Sequence, residues 1–190
     1  HIAYETTPTP GFDDARLANI SEVAVESGAI RAIATTGAAE SQPHYSPDGR
    51  FLAYVRGSDP PNRILPQNIA LFTRALGAVR NLAATPDGGP RILGWTKDSR
   101  QLLVSEPRGV RGAVYGVGVD GPVTDILKPD AGTISVSSAN DNGTYLGLTR
   151  ESPTEPVEAY VMEVATGKLT RVSKANAALP KPPFGETKVV

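Results

Sequence analysis

The residues of this chain that could do chemistry are few. Two histidines, His1 and His44, stand among 190 residues with no cysteine at all. A serine nucleophile works on a strained Gly-x-Ser-x-Gly elbow, beside a histidine that a carboxylate orients. No such elbow occurs in the sequence. His44 therefore has no nucleophile to serve and reads as a polar residue held by neighbouring backbone on an inner strand. The absence of cysteine excludes disulfides, zinc ribbons, iron–sulfur clusters and thiol catalysis together, and it assigns no compartment. The sequence supplies no catalytic group, no metal set and no cofactor site.

Three other strings invite a reading. Gly116-Val117-Gly118-Val119-Asp120-Gly121 fits G-x-G-x-x-G. A dinucleotide loop, however, needs a helix opening at its last glycine. Here Pro122 leads into Val123-Thr124-Asp125-Ile126-Leu127, which alternates like a strand, so Asp120-Gly121 is expected to be a hairpin turn. Asp141-Asn142-Gly143 has the turn of a calcium loop but neither its alternating ligands nor its distal glutamate. Arg108, Arg111 and Arg150 could form an anion patch, although solvated surface arginines are the commoner arrangement.

The elements that would position these side chains follow from one stretch, Gln42-Pro43-His44-Tyr45-Ser46-Pro47-Asp48-Gly49-Arg50-Phe51-Leu52-Ala53-Tyr54-Val55. Pro47 presets φ for a turn, Asp48 can cap its own backbone and Gly49 accepts a positive φ. Phe51 to Val55 then read as a strand. The stretch repeats. Gly94-Trp95-Thr96-Lys97-Asp98-Ser99-Arg100-Gln101-Leu102 lies 50 residues on, and Ala139-Asn140-Asp141-Asn142-Gly143 places Gly143 under Ser99 after a further 44. Ile2-Ala3-Tyr4-Glu5 aligns with Leu52-Ala53-Tyr54-Val55 as a truncated first copy.

After each post-turn strand comes a polar or proline-bearing loop, expected over Thr6–Arg16, Gly57–Pro66, Glu106–Arg111 and Glu151–Pro156. Two further strands and a short turn close each unit. Four short antiparallel strands in 44–50 residues is the arithmetic of a β-propeller blade. The expected fold class is all-β: a partial β-propeller with three complete four-stranded blades and one lacking its inner strand. The propeller covers residues 1–173, with blades near 1–37, 38–85, 86–129 and 130–173, and 174–190 read as a linker. Formal net charge of −1 gives no footprint for nucleic acid or an anionic membrane. No apolar run reaches the roughly 18 residues that span a bilayer.

Pro43-His44-Tyr45-Ser46-Pro47-Asp48-Gly49-Arg50-Phe51-Leu52-Ala53-Tyr54 resembles the W-S-P-D-G signature of the TolB-type, WD40-like propeller repeat. Leu169-Thr170-Arg171-Val172-Ser173-Lys174-Ala175-Asn176, followed by Pro183-Phe184-Gly185-Glu186-Thr187-Lys188-Val189-Val190, resembles the last blade and linker of a prolyl oligopeptidase-family serine peptidase. That resemblance implies a non-catalytic propeller portion that restricts short peptides on their way to an α/β-hydrolase domain of the same polypeptide, with the triad outside this chain. The alternative is a TolB-like propeller that serves as a protein-binding scaffold.

Antiparallel strands place the Ser-Pro-Asp-Gly turns on one face and the longer loops on the other, where binding usually resides on a rigid scaffold. Arg56, Arg63, Glu106, Arg108, Arg111, Arg150 and Glu151 fall on that second face. Within the resemblance, Arg56, Arg108, Arg111, Arg150 and Glu151 are the expected substrate-gating residues. An unclosed ring also leaves open blade edges, through which self-association is expected.

Overall fold

The computed structural model describes residues 1–62, 64–109, 111–128 and 132–180. Residues 129–131, at the expected third blade boundary, lie outside them, as do Arg63 and the 181–190 part of the expected linker. The strands assemble into four sheets, each antiparallel and in chain order. The first holds β1 (Ile2–Thr6), β2 (Asn19–Val23) and β3 (Ile30–Ala34); the second holds β4 (Glu40–Tyr45), β5 (Phe51–Arg56), β6 (Asn68–Thr73) and β7 (Ala78–Asn81). The third holds β8 (Arg91–Trp95), β9 (Gln101–Arg108), β10 (Arg111–Gly118) and β11 (Val123–Leu127). The fourth holds β12 (Thr133–Ala139), β13 (Tyr145–Ser152), β14 (Glu155–Glu163) and β15 (Lys168–Arg171). These are three complete propeller blades and one without its inner strand, as the repeat predicts.

Each complete blade starts with the same turn. Gly49 N donates to Ser46 O, Ser99 N to Thr96 O and Gly143 N to Asn140 O, all at 2.9 Å. The fourth turn residue is left-handed in each, with φ of 70° at Gly49, 59° at Ser99 and 65° at Gly143. Ser46 and Thr96 hydroxyls donate to Asp48 and Asp98 Oδ1 at 2.7 Å, and each aspartate in turn accepts from the arginine N–H that follows. Asx capping of this kind specifies a turn locally, without tertiary help.

Packing between blades does the rest. On β5, Leu52 and Tyr54 join Ile20 and Phe72 in the core between blades one and two, while Ala53 and Val55 join Trp95, Leu102 and Val104 between blades two and three. Leu103 and Val114 face Ile134, Leu146, Leu148 and Met162 of blade four. Side chains alternate across a strand, so a strand buried on both faces must be apolar at every position, which explains the unbroken Phe51–Val55 and Leu102–Val104 runs. Blade four is packed on one face: Leu146 and Leu148 are buried, whereas Tyr145 and Thr149 are exposed. Burying each Leu contributes roughly 2 kcal/mol, more than any single turn hydrogen bond, so blade stacking dominates the stability of the arc.

Two expected loops are instead strands. β9 runs through Pro107 to Arg108 and β13 runs to Ser152, leaving tight hairpins where long loops over Glu106–Arg111 and Glu151–Pro156 were expected. The prolines misled. Beyond Ser105, the last residue paired with β8, strand β9 has only β10 beside it; Pro156 likewise lies beyond the stretch of β14 that pairs with β15. A proline is tolerated on such a free edge because no ladder needs its N–H. The first long loop also holds a 3₁₀ turn, Phe12–Leu17, that the sequence did not announce.

Candidate functional site on the loop end of the blades

The two ends of the arc differ in chemistry. A cavity of about 1650 Å³ opens among the blade turns, lined by Thr96–Ser99, Asp120-Gly121, Asn142–Thr144 and Ala165–Gly167. Its carboxylates are committed to structure. Burial pushes Asp48, beside this cavity, upward, yet hydrogen bonds from Arg50 N–H, Ser46 Oγ and the Arg50 guanidinium hold it at about 2. Asp98 is held low by Thr96 and Arg100 in the same way. Asp120 pairs with Arg80 at 2.8 Å and Asp125 with Lys128 at 3.5 Å.

At the opposite end, a crevice of about 350 Å³ separates blades three and four. Arg91, Ser105, Glu106, Arg111, Thr133 and Ser135 line it. Arg91 is anchored, its Nη1 donating to Val136 O at 2.8 Å. Glu106 is buried and accepts the N–H groups of Asp87 (2.9 Å) and Gly89 (3.3 Å), so it holds the loop entering blade three rather than a ligand. Arg111 is half-buried and makes no ion pair or side-chain hydrogen bond among the described residues.

The five expected gating residues share this end but do not converge on one point. Arg108 and Arg111 are direct cross-strand partners at the tip of the β9–β10 hairpin, an arrangement of like charges that disfavours the folded hairpin unless an anion joins it. Arg108 Nη1 reaches the Tyr115 hydroxyl at 3.5 Å. Arg56, on β5 of the neighbouring blade, donates to Asn81 Oδ1 at 2.8 Å, and Arg150 pairs with Glu155 at 3.3 Å. Glu151 is exposed on β13, across from Thr133. All four residues beyond Arg56 stand on strand ends, not in long loops, for the edge-proline reason given above. Arg63 lies outside the described residues.

His44 lies on β4, where burial pushes its imidazole below the ordinary 6.5. What the fold uses is its carbonyl, which accepts from Trp95 Nε1 at 3.1 Å. Sequence reasoning passed over Arg91 and three buried carboxylates, Glu22, Glu40 and Glu158. Glu40 is fully buried; its Oε1 accepts from Thr36 N–H and hydroxyl while Oε2 has no partner among the described residues, and burial pushes it up against those bonds and the nearby Arg56. Glu158 accepts from Ser173 Oγ, Asn176 N–H, Ala175 N–H and Arg171, which together hold it at about 2. A charged residue inside an alternating strand is the signal that could have marked all three.

No family model matches this chain, and no curated protein matches it. Solved structures do. TolB from Acinetobacter baumannii superposes with a TM-score of 0.65 at 17% identity, over 89% of this chain and 39% of that one. The β-propeller domain of the Trilobed protease from Pyrococcus furiosus gives 0.63 at 20% identity, over 90% and 53%. The acylaminoacyl peptidase of Pyrococcus horikoshii gives 0.62 at 15% identity, over 90% and 30%. This chain spans less than two thirds of each. Identities this low speak to architecture alone, and the architecture they share with these blades is the β-propeller.

Proposed function

We propose that this chain is the non-catalytic propeller portion of a serine peptidase of the prolyl oligopeptidase family, restricting access of short peptides to an α/β-hydrolase domain of the same polypeptide. The observation that carries this reading is the half-buried Arg111, unpaired among the described residues, beside Arg108 at the loop end, where a passing peptide would present carbonyls and a carboxylate. The likeness to propellers of a trilobed protease and an acylaminoacyl peptidase supports it. Arg108, Arg111 and Glu151 are the gating side chains; Arg56 and Arg150, already engaged by Asn81 and Glu155, shape the rim.

The test is made on the longer polypeptide obtained by extending the reading frame past Val190. A fluorophosphonate should label one serine in it, and peptides of increasing length should be cleaved with falling kcat/KM while folded proteins are spared. Arg111→Gln should change that length dependence. No labelled serine, or cleavage indifferent to substrate size, overturns the reading. The likeness to TolB favours a second reading, a protein-binding scaffold. In that case the extended polypeptide would carry no reactive serine, and a partner protein would bind the chain reversibly.

A further inference from the structure

Gly116 and Gly118 stand within strand β10, and their lack of side chains changes how blade three meets blade four. The ladders give the comparison with the blade before. In blade two Leu71 lies between Ala53 and Arg80; in blade three Gly116 lies between Leu103, 50 residues on from Ala53, and Thr124. By the same register Phe51 corresponds to Gln101, and Trp95 to Ala139 of blade four. Between blades two and three this part of the interface is filled. The Phe51 ring stacks on Trp95 with centroids 6.3 Å apart, and Leu71 is buried in the core. The Arg80 guanidinium crosses to Val119 O at 2.6 Å and Asp120 at 2.8 Å. Between blades three and four all three fillers are gone. Gln101 and Thr124 fold over Gly116, where a Cβ would meet Thr124 Oγ1 at 3.0 Å and Gln101 Oε1 at 3.2 Å. The Thr124 hydroxyl turns back to Gly116 O at 3.3 Å, and the side-chain amide of Gln101 has no hydrogen bond among the described residues. Val164 repeats Val119, its N–H donating to Thr144 O as that of Val119 does to Arg100 O, both at 2.9 Å. Among the described residues no arginine reaches its carbonyl. The cavity of about 1650 Å³ at the turn end is lined by Gln101, Thr124 and Ile126 on one side of this cleft and by Asn142, Thr144 and Val164 on the other.

We propose that this cleft binds a short peptide presenting an aromatic and an arginine side chain, the two groups that fill the same cleft one blade earlier. The ring takes the place of Phe51, against Ile126 and the stem of Gln101, and removes apolar surface from water. The guanidinium takes the place of Arg80 and donates to Val164 O, a charge-assisted bond to a backbone acceptor. The Gln101 amide, which offers both a donor and an acceptor, meets the peptide backbone between them. Strand geometry sets the spacing. Phe51 and Arg80 lie two strands and two residues apart. That is roughly 12 Å, which an extended peptide covers in three or four residues. Lys97 and Arg100 are exposed at the mouth. Arg100 repeats Arg50, which stands 5.1 Å over the Phe51 ring in the filled cleft, so a cation there is compatible with the pair. The site lies at the end opposite Arg108 and Arg111 and does not rest on the peptidase reading.

The test titrates the 190-residue chain with the capped peptide acetyl-Ala-Phe-Ala-Ala-Arg-Ala-amide and reads backbone amide shifts residue by residue. Saturable shifts should gather at Gln101, Thr124, Asn142–Thr144 and Val164–Gly167. Replacing the peptide's arginine by glutamine, or its phenylalanine by alanine, should each weaken binding at least about tenfold, the size of one charge-assisted hydrogen bond or one buried ring. Thr124→Arg supplies the guanidinium from within the chain, as Arg80 does, and should weaken binding by a similar factor while raising the urea midpoint. Thr124 is exposed on the outer strand β11, so the fold tolerates the change. Gln101→Phe restores the missing ring and should weaken binding independently. No saturable binding, shifts confined to the loop end around Arg108 and Arg111, equal affinity for the glutamine peptide, or binding untouched by both Thr124→Arg and Gln101→Phe overturns the proposal.

Discussion

The backbone N–H of Asp48 donates to Ser99 Oγ at 3.2 Å, so the turn that starts blade two rests on the turn that starts blade three. Ser99 is buried and sits at φ 59°, in the position that Gly49 and Gly143 fill in the neighbouring blades. Its left-handed backbone costs about 1 kcal/mol and its hydroxyl returns a similar amount through the inter-blade bond. Ser99→Gly should therefore leave the urea midpoint nearly unchanged, while Ser99→Ala, which keeps the strain and loses the bond, should destabilise by about 1 kcal/mol. Equal effects of the two substitutions would refute this balance.

Gly49 and Gly143 have the same conformation but different surroundings. A Cβ at Gly49 would meet nothing within 4 Å, whereas at Gly143 it would stand against the Trp95 carbonyl, far inside contact distance. Gly49→Ala should cost about 1 kcal/mol through φ alone. Gly143→Ala should cost at least about twice that, because backbone must move. Chemical denaturation of the pair separates the two terms.

Glu158 makes the last blade acid-sensitive. Its folded value of about 2 lies below the ordinary 4.5, so it contributes stability that is present above 4.5 and lost as pH falls toward 2. The melting temperature of the protein should drop through that window more steeply than that of Glu158→Gln. Parallel curves would show that the Ser173–Asn176 segment is not held by this carboxylate.

Glu40 acts in the opposite direction. Burial raises it above 4.5, so the stability associated with its protonated form is complete below 4.5 and is lost as pH rises through the folded value. Relative to Glu40→Gln, the wild-type chain should lose stability as pH rises above 4.5. A difference independent of pH would place the charge in a better-solvated site than the structure does.

The blade repeat was legible because its determinants are local. Ser46, Asp48 and Gly49 close a turn through bonds spanning two to five residues, and any chain carrying them at that spacing makes the same hairpin. The expected loop end was legible too, since antiparallel pairing alone puts Arg56, Arg108, Arg111, Arg150 and Glu151 there. What those arginines do was not. Arg56 finds Asn81 two strands across its own sheet, and Arg91 finds Val136 of the next blade, residues 25 and 45 positions away. The prolines at 107 and 156 read as loops because a sequence does not reveal which strand ends outrun their neighbours. Glu5 and Glu22 looked like ordinary strand glutamates, yet they accept from Gln42 and Tyr45, 37 and 23 residues on, in the next blade. Turn chemistry thus set the blades from the sequence, and the contacts between blades, which depend on distance in space and not along the chain, were decided by the tertiary structure.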